Sequence, residues 1–342
     1  MIMTIAAPVI VFAVIILVHE GGHYVTAKLT GMRVEEFAVG FGPVLYSRTI
    51  GETKYSLRMI PLGGFNKIAG MDPGDPGTDP RSFSSKPAWA RLLVISAGSL
   101  MNIILAFLIF WGAFLIVGIQ SFPNQPVVGS VLDGSAASLA GIKPSDRILE
   151  IRGEPVNAWT DIQGRLTDQA SRIVPVRIER DGKVMPLEVI PKDDGRGHAV
   201  IGITPYLEAE PVSIMQAASM AGERCLYIIR MMGEGIYYAV TGNASADVAG
   251  PLGVARLAGD VAGVGLLQFF LFIAVLSLNL GFLNFLPIPL LDGGLFFTIL
   301  AETVSGRRMP EKMLYYLQVA GLSILVGLFL FATMKDISSF FR

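Results

Sequence analysis

His19, Glu20 and His23 form the run His-Glu-Gly-Gly-His, directly after the apolar stretch Ile5 to Val18. On an α-helix, residues four apart share a face, so the two imidazoles can grip one zinc ion while Glu20 lies beside a water on that ion. Zinc lowers the pKa of such a water to about 7, and a carboxylate base can then turn it into a hydroxide that attacks a peptide carbonyl. A five-residue pattern also arises by chance. The apolar setting argues against chance here, because ionisable residues at membrane depth are expensive and usually functional.

Catalytic zinc takes three protein ligands and keeps a fourth position for water. The chain has three histidines and one cysteine, Cys225, so no cysteine cage and no intrachain disulfide can form. The third histidine, His198, lies in a polar region and reads as a surface residue. The missing ligand is therefore expected to be a carboxylate embedded in an apolar stretch, and Asp292 fits best. It sits in Asn284-Phe285-Leu286-Pro287-Ile288-Pro289-Leu290-Leu291-Asp292-Gly293-Gly294. The other reading of Asp292 is a helix cap before Gly293. Pro287 and Pro289 break a helix and leave open carbonyls beside Asp292. Asn279 and Asn284 can satisfy that backbone, hydrogen-bond an unwound substrate strand, or join helices as packing polar groups.

The elements that must position these residues are membrane helices. The 342 residues are 52% hydrophobic and 16% charged, which marks an integral membrane protein. A net charge of −1 gives no support to a global basic patch, so no nucleic-acid partner is expected. Four segments can cross a bilayer core of about 30 Å: Thr4 to Leu29, Leu92 to Gly118, Leu266 to Phe285, and Tyr316 to Met334. The first carries no basic residue ahead of it and runs into the histidines rather than a small-residue cleavage site, so it reads as a retained span. Arg33, Arg48, Lys54, Arg58, Lys67, Arg81, Lys86 and Arg91 follow it, and Arg307, Arg308 and Lys312 lie between the third and fourth spans. The positive-inside rule puts both loops in the cytoplasm, and Ile119 to Gly265 outside it. His19, His23 and Asp292 then share one depth, whereas Asp260 belongs to the outer segment and Glu302 to a loop helix.

Val34 to Phe65 reads as short strands split by Gly40, Gly42-Pro43 and Gly51, either a sheet dipping into the bilayer or a cytoplasmic hairpin. Asp72 to Pro80 reads as a flexible loop. Val127 to Pro205 reads as a small extramembrane domain with a hairpin around Asp181-Gly182, and Pro211 to Val240 as an amphipathic surface helix. The segment Gly134 to Val156, with Gly-Ile-Lys-Pro-Ser-Asp-Arg-Ile, resembles a PDZ domain of the bacterial protease type. Such a domain takes a peptide as an added strand, or serves here as a spacer or size filter.

Taken in order, His-Glu-x-x-His in the first span, the Gly-rich second span, the PDZ-like insert and Asn-x-x-Pro-x-Pro-x-Leu-Asp-Gly resemble the bacterial site-2 proteases over nearly the whole chain. That family of intramembrane zinc metalloproteases includes the regulator-of-sigma-E proteases. The resemblance implies a Zn2+ cofactor, His19, His23 and Asp292 as metal ligands, and Glu20 as catalytic base. It associates Asn279, Asn284, Pro287 and Pro289 with substrate handling, and matches Phe41-Gly42-Pro43 to Pro61-Leu62-Gly63-Gly64 to a membrane-reentrant sheet. The family's Gly-Pro-x-x-Asn motif becomes Gly98-Ser99-Leu100-Met101-Asn102, without the proline, and there is room for one PDZ domain where many relatives carry two.

The expected fold is a polytopic α-helical membrane protein with four transmembrane helices, a membrane-associated β-sheet and an inserted extracytoplasmic PDZ-like α+β domain. Residues 1–31 are the first span, 32–91 the reentrant β region and loop, 92–118 the second span and 122–205 the PDZ-like domain. An amphipathic helix and linker take 206–264, the third span 265–289, the Leu-Asp-Gly motif and cytoplasmic loop 290–314, and the fourth span 315–336. The expected partners are the bilayer and pre-trimmed single-span membrane proteins, such as anti-sigma factors or remnant signal peptides. The expected place is the bacterial inner membrane, with the active site toward the cytoplasm and both termini outside. A zinc-binding scaffold that cuts nothing, or a metal transporter, would be built from the same elements, but the first has no use for Glu20 and the second needs several ligand clusters along a path.

Overall fold

The computed structural model describes residues 2–71, 79–193, 198–242, 250–307 and 309–340. Most of the stretch expected as a flexible loop, residues 72–78, lies outside the described residues. The chain forms two compact units, Met1–Ala113 with Met215–Arg342, and Phe114–Ile214.

In the first unit, helix α1 (Ile2–Leu29) runs through the apolar stretch and the histidine motif without a break. It stops at Gly31, where φ is 69°. There Met32 N returns to Ala27 O at 2.8 Å and Gly31 N to Lys28 O at 3.1 Å, the left-handed closure that glycine permits. Strands β1 (Val34–Ile50) and β2 (Thr53–Ile68) follow as an antiparallel pair with a doubled register. Glu36, Phe37, Ala38 and Val39 face Lys67, Asn66, Phe65 and Gly64 on one side and Lys54, Tyr55, Ser56 and Leu57 on the other. The glycines expected to split this region into short strands bend it instead. Gly40, with φ of 91°, brings its backbone where a Cβ would stand 2.7 Å from Ile60 O. Beyond that bend Phe41, Val44, Leu45, Tyr46, Met59 and Ile60 are exposed. Helix α2 (Ala88–Val117) begins four residues ahead of the expected Leu92, straight after Pro87. Its charged first turn hides the start from a hydropathy reading; Arg91 there faces Glu302 at 3.9 Å.

The second unit holds β3 (Ile119–Ser121), β4 (Val128–Val131), α3 (Ala136–Leu139), β5 (Arg147–Ile151), β6 (Glu154–Pro155) and α4 (Trp159–Leu166). They continue into β7 (Val174–Arg180), β8 (Lys183–Val189), β9 (Lys192–Asp193), β10 (Ala199–Val200), β11 (Ile203–Pro205) and β12 (Glu208–Glu210). A four-stranded sheet runs β6-β5-β7-β8, while β4 pairs with β11, β9 with β10, and β3 with β12. Along β7, Val174, Val176 and Ile178 point into a core with Ile148, Ile151, Ile162 and Leu166, the alternation of a sheet with one covered face. Asp181 and Gly182 both have positive φ, 50° and 73°, as a tight two-residue hairpin turn requires. Asp146, fully buried, accepts from Lys143 N at 2.8 Å and from the Arg180 guanidinium at 2.6 and 2.7 Å, fixing the Gly141 to Asp146 turn.

The first unit resumes with α5 (Ile214–Thr241), α6 (Pro251–Val264), α7 (Leu266–Asn284), α8 (Asp292–Ser305) and α9 (Glu311–Phe340). Among the described residues, four helices are long and apolar enough to cross a membrane, over Ala6–Leu29, Ala88–Val117, Leu266–Asn284 and Lys312–Ser338. Ala258 of α6 packs with Ala7, Val11 and Ile15 of α1 and Ile273 of α7, so α6 braces the helix that bears the histidines. The first turn of α6 has no side-chain cap of its own. Asp336 of α9 supplies it, accepting from Gly250 N and Gly253 N at 2.9 Å each. A carboxylate at a helix N-terminus satisfies both the open donors and the dipole.

Replacing Asp336 with Ala strands those donors away from water and is expected to destabilise the protein by about 1–3 kcal/mol. Asp336→Asn, which keeps one acceptor, should lose less. Reversible denaturation in detergent reads the difference, and an unchanged Asp336→Ala midpoint would contradict this role.

Candidate metal centre

The centre is built where α1 and α2 cross. A Cβ on Gly22 would stand 2.5 Å from Ala97 O, and one on Gly98 would collide with Nε2 of His23. Glycine at both positions lets the helices approach closely enough for α2 to form one wall around the histidines. His19 and His23 are each 8% exposed and meet edge to face, ring centroids 4.9 Å apart. His23 Nδ1 donates to Val94 O of α2 at 2.7 Å, which leaves Nε2 as a lone-pair donor toward the centre. His19 Nδ1 lies 3.3 Å from the Asn102 amide, whose Oδ1 is buried without a partner among the described residues. With that amide turned so that Oδ1 accepts the Nδ1 proton, both imidazoles present Nε2.

Asp292 arrives from the far end of α7. The chain leaves that helix after Asn284 and folds back through Pro287 and Pro289. Leu290, at φ of 78°, then turns it into α8. The carbonyls of Leu286 and Ile288 press so close to Gly293 and Gly294 that a Cβ on either would collide with them. The Pro289 carbonyl is likewise packed against Gly321 of α9. Leu291 is the N-cap of α8 and makes no side-chain capping bond; Asp292 is the first helical residue, and its Oδ2 turns to the histidines. It stands 3.2 Å from His19 Nε2 and 3.3 Å from His23 Nε2, while the two Nε2 atoms are 3.4 Å apart.

This near-equilateral triangle has the dimensions of a metal's ligand shell. Ligand atoms about 2.0 Å from a tetrahedral zinc stand about 3.3 Å from one another. The three groups are also the N,N,O set of zinc hydrolases, and among the described residues they are the cluster of His, Cys, Asp and Glu able to hold an ion.

A family model described as peptidase family M50 matches residues 7–328. The chain belongs to peptidase family M50. A candidate zinc metalloprotease of Clostridium acetobutylicum is 33% identical to it over 335 residues, 97% of each chain. Another, of Fusobacterium nucleatum, is 34% identical over 343 residues, covering 99% of this chain and 100% of that one. The regulator of sigma-W protease RasP of Bacillus subtilis is 28% identical over 421 residues, 99% of each. Among solved structures, the PDZ domain of an SdrC-like protein from Listeria monocytogenes is similar at 20% identity and a TM-score of 0.23, over 25% of this chain and 93% of that one. The site-2 protease resemblance and the expected peptidase class agree with membership in M50.

Of the residues singled out from the sequence, His19, His23 and Asp292 come together, and Asn284 Nδ2 lies 3.4 Å from His19 Nε2. Asn279 is five positions earlier on α7, about 140° around the helix from Asn284. Its Oδ1 is buried without a partner among the described residues. Sequence reasoning missed Asn66. Its amide donates to Glu20 O at 2.7 Å and to Glu20 Oε2 at 2.8 Å. A lone Asn in the apolar tail of a strand was the available signal.

The crossing gives a sharp expectation. Gly98→Ala puts a methyl into the imidazoles and should weaken zinc affinity about 10- to 100-fold. Gly112→Ala, with nothing within 4 Å of its Cβ, should leave it unchanged. Metal titration of both variants checks this; equal affinity would mean that the crossing does not shape the site.

Proposed function

We propose that the chain is a zinc-dependent intramembrane endopeptidase that cuts single-span membrane proteins after their outer part has been trimmed. The observation that carries this reading is the triangle of His19, His23 and Asp292, with both histidines on a helix apolar enough to cross a membrane and Glu20 next to His19 in the chain. Those three residues would hold zinc, which when bound supplies Lewis acidity to a water and to the scissile carbonyl. Glu20 takes a proton from the attacking water and passes it to the leaving amine.

A peptide bond in a transmembrane helix is shielded by its own hydrogen bonds, so the substrate must unwind. The apolar arm of β1 and β2 dips into the bilayer in this reading. The stretch Gly64 to Lys67, with β1 on one side, offers an edge to the unwound segment. Asn284, at the metal centre, orients that segment beside His19. Asn279 and the broken helix at Pro287 and Pro289 supply further polar backbone and amide partners.

By the basic loops, the centre faces the cytoplasm, while Val127 to Pro205 and both termini lie outside it. The PDZ-like unit excludes untrimmed proteins by bulk. Likeness to a protease named for regulating sigma-W points to membrane-anchored anti-sigma factors as one substrate class, with remnant signal peptides another.

Purified chain and Glu20→Gln, each assayed for zinc, should be given a trimmed and a full-length single-span reporter. Wild type is expected to cut the trimmed reporter and spare the full-length one. Glu20→Gln should keep its zinc and lose at least about a hundredfold in rate. Zinc-loaded wild type that cuts no reporter would favour a scaffold instead, and equal cutting of both reporters would remove the size filter.

A further inference from the structure

We infer that Asn66 is a positioning residue for the base: its amide selects the rotamer of Glu20 and leaves one carboxylate oxygen, Oε1, to handle the proton. The inference rests on the protease reading and deepens it.

Both donated bonds of Asn66 go to one residue. Nδ2 reaches Glu20 O at 2.7 Å and Glu20 Oε2 at 2.8 Å, so the amide holds the backbone and the carboxylate of Glu20 together. Its Oδ1 is buried with no partner among the described residues. Turning the amide over would place Oδ1 against two acceptor oxygens, so the hydrogen-bond pattern itself fixes which end faces Glu20. A buried carbonyl oxygen left unpaired opposes stability. An apolar side chain would tie strand to helix without stranding that oxygen. The side chain is thus arranged for Glu20 at some expense to the fold.

The approach is close on the backbone side as well. A Cβ on Gly64 would stand 3.2 Å from Glu20 Cγ, 3.1 Å from Ile16 Cγ2 and 2.8 Å from Ala38 O. Glycine there lets the strand lie against the Glu20 stem, and Asn66, two residues on, carries the amide to its carboxylate. Phe37, opposite Asn66 in the register, belongs to an aromatic cluster with Tyr24 and Tyr55 that holds the sheet to α1. The base is therefore oriented by the same strand stretch that offers its edge to substrate, so strand docking and base geometry share one element. General-base efficiency depends on such orientation, because a carboxylate free to rotate spends most of its time out of line with the proton it must take.

The test uses the full chain in detergent with the trimmed reporter, comparing wild type, Asn66→Val and Asn66→Ser. Asn66→Val removes both donors at similar volume; Asn66→Ser restores a shorter donor. The expected result for Asn66→Val is a fall in kcat of about 10- to 100-fold at an unchanged KM and unchanged zinc content. Asn66→Ser should recover part of the loss. A kcat within about twofold of wild type, or a loss that appears only in KM or in zinc content, would overturn the role while leaving the protease reading in place. Zinc-loaded wild type that cuts nothing would overturn both.

Discussion

Polar side chains buried among apolar helices need partners inside the protein, and this constraint shapes the site and the backbone around it. In hydrocarbon an unsatisfied donor, acceptor or charge costs several kcal/mol, and no water is there to relieve it. Two imidazoles, a carboxylate at the centre and a second carboxylate beside them would be prohibitive on isolated apolar helices. They become tolerable because each of these side chains has a partner. His23 Nδ1 goes to a carbonyl of α2, the His19 ring to Asn102, Asp292 to both histidines, and Glu20 to Asn66. Gly22 and Gly98 matter for the same reason, since the crossing must be close for the α2 carbonyl to reach a ring.

The same constraint explains the broken backbone between α7 and α8. A chain that leaves a helix at Asn284 exposes carbonyls, and Pro287 and Pro289 offer no donors to a neighbour. The chain answers by folding tightly on itself, with Ile288 N on Leu286 O at 2.7 Å and Leu291 N on Ile288 O at 3.1 Å. The carbonyls of Leu286, Ile288 and Pro289 also pack closely against Gly293, Gly294 and Gly321. Leu290 is a branched, bulky residue at positive φ, a conformation that persists where surrounding structure over-determines it and that clusters at functional sites. At the other end of α9, Asp336 applies the same rule to the open donors of α6.

The meeting of His19, His23 and Asp292 was legible because its signals are local or scarce. His19 and His23 share a helical face by spacing alone, and with the third histidine in a polar region, an acid in an apolar run was the expected third ligand. The four long apolar helices were legible from hydropathy, although α2 and α9 extend beyond the apolar stretches into turns that carry charge, at Arg91 and Lys312. The glycine-broken segment after α1 gave away its strands but not the doubled register, because a single sequence does not say which of two partners flanks Glu36 to Val39 on each side. The contacts of Asn66, Val94 and Gly98 with the site were hidden for the same reason. Their roles depend on pairings 46, 71 and about 75 positions apart, and one of them acts through a backbone carbonyl that any residue would supply.

The most direct test of the central claim is X-ray absorption at the zinc edge on the purified, zinc-loaded chain. Two imidazoles and oxygen ligands at about 2.0–2.1 Å in a four-coordinate shell are expected. A sulfur contribution at about 2.3 Å, or an oxygen-only shell without imidazole scattering, would contradict a centre made by His19, His23 and Asp292.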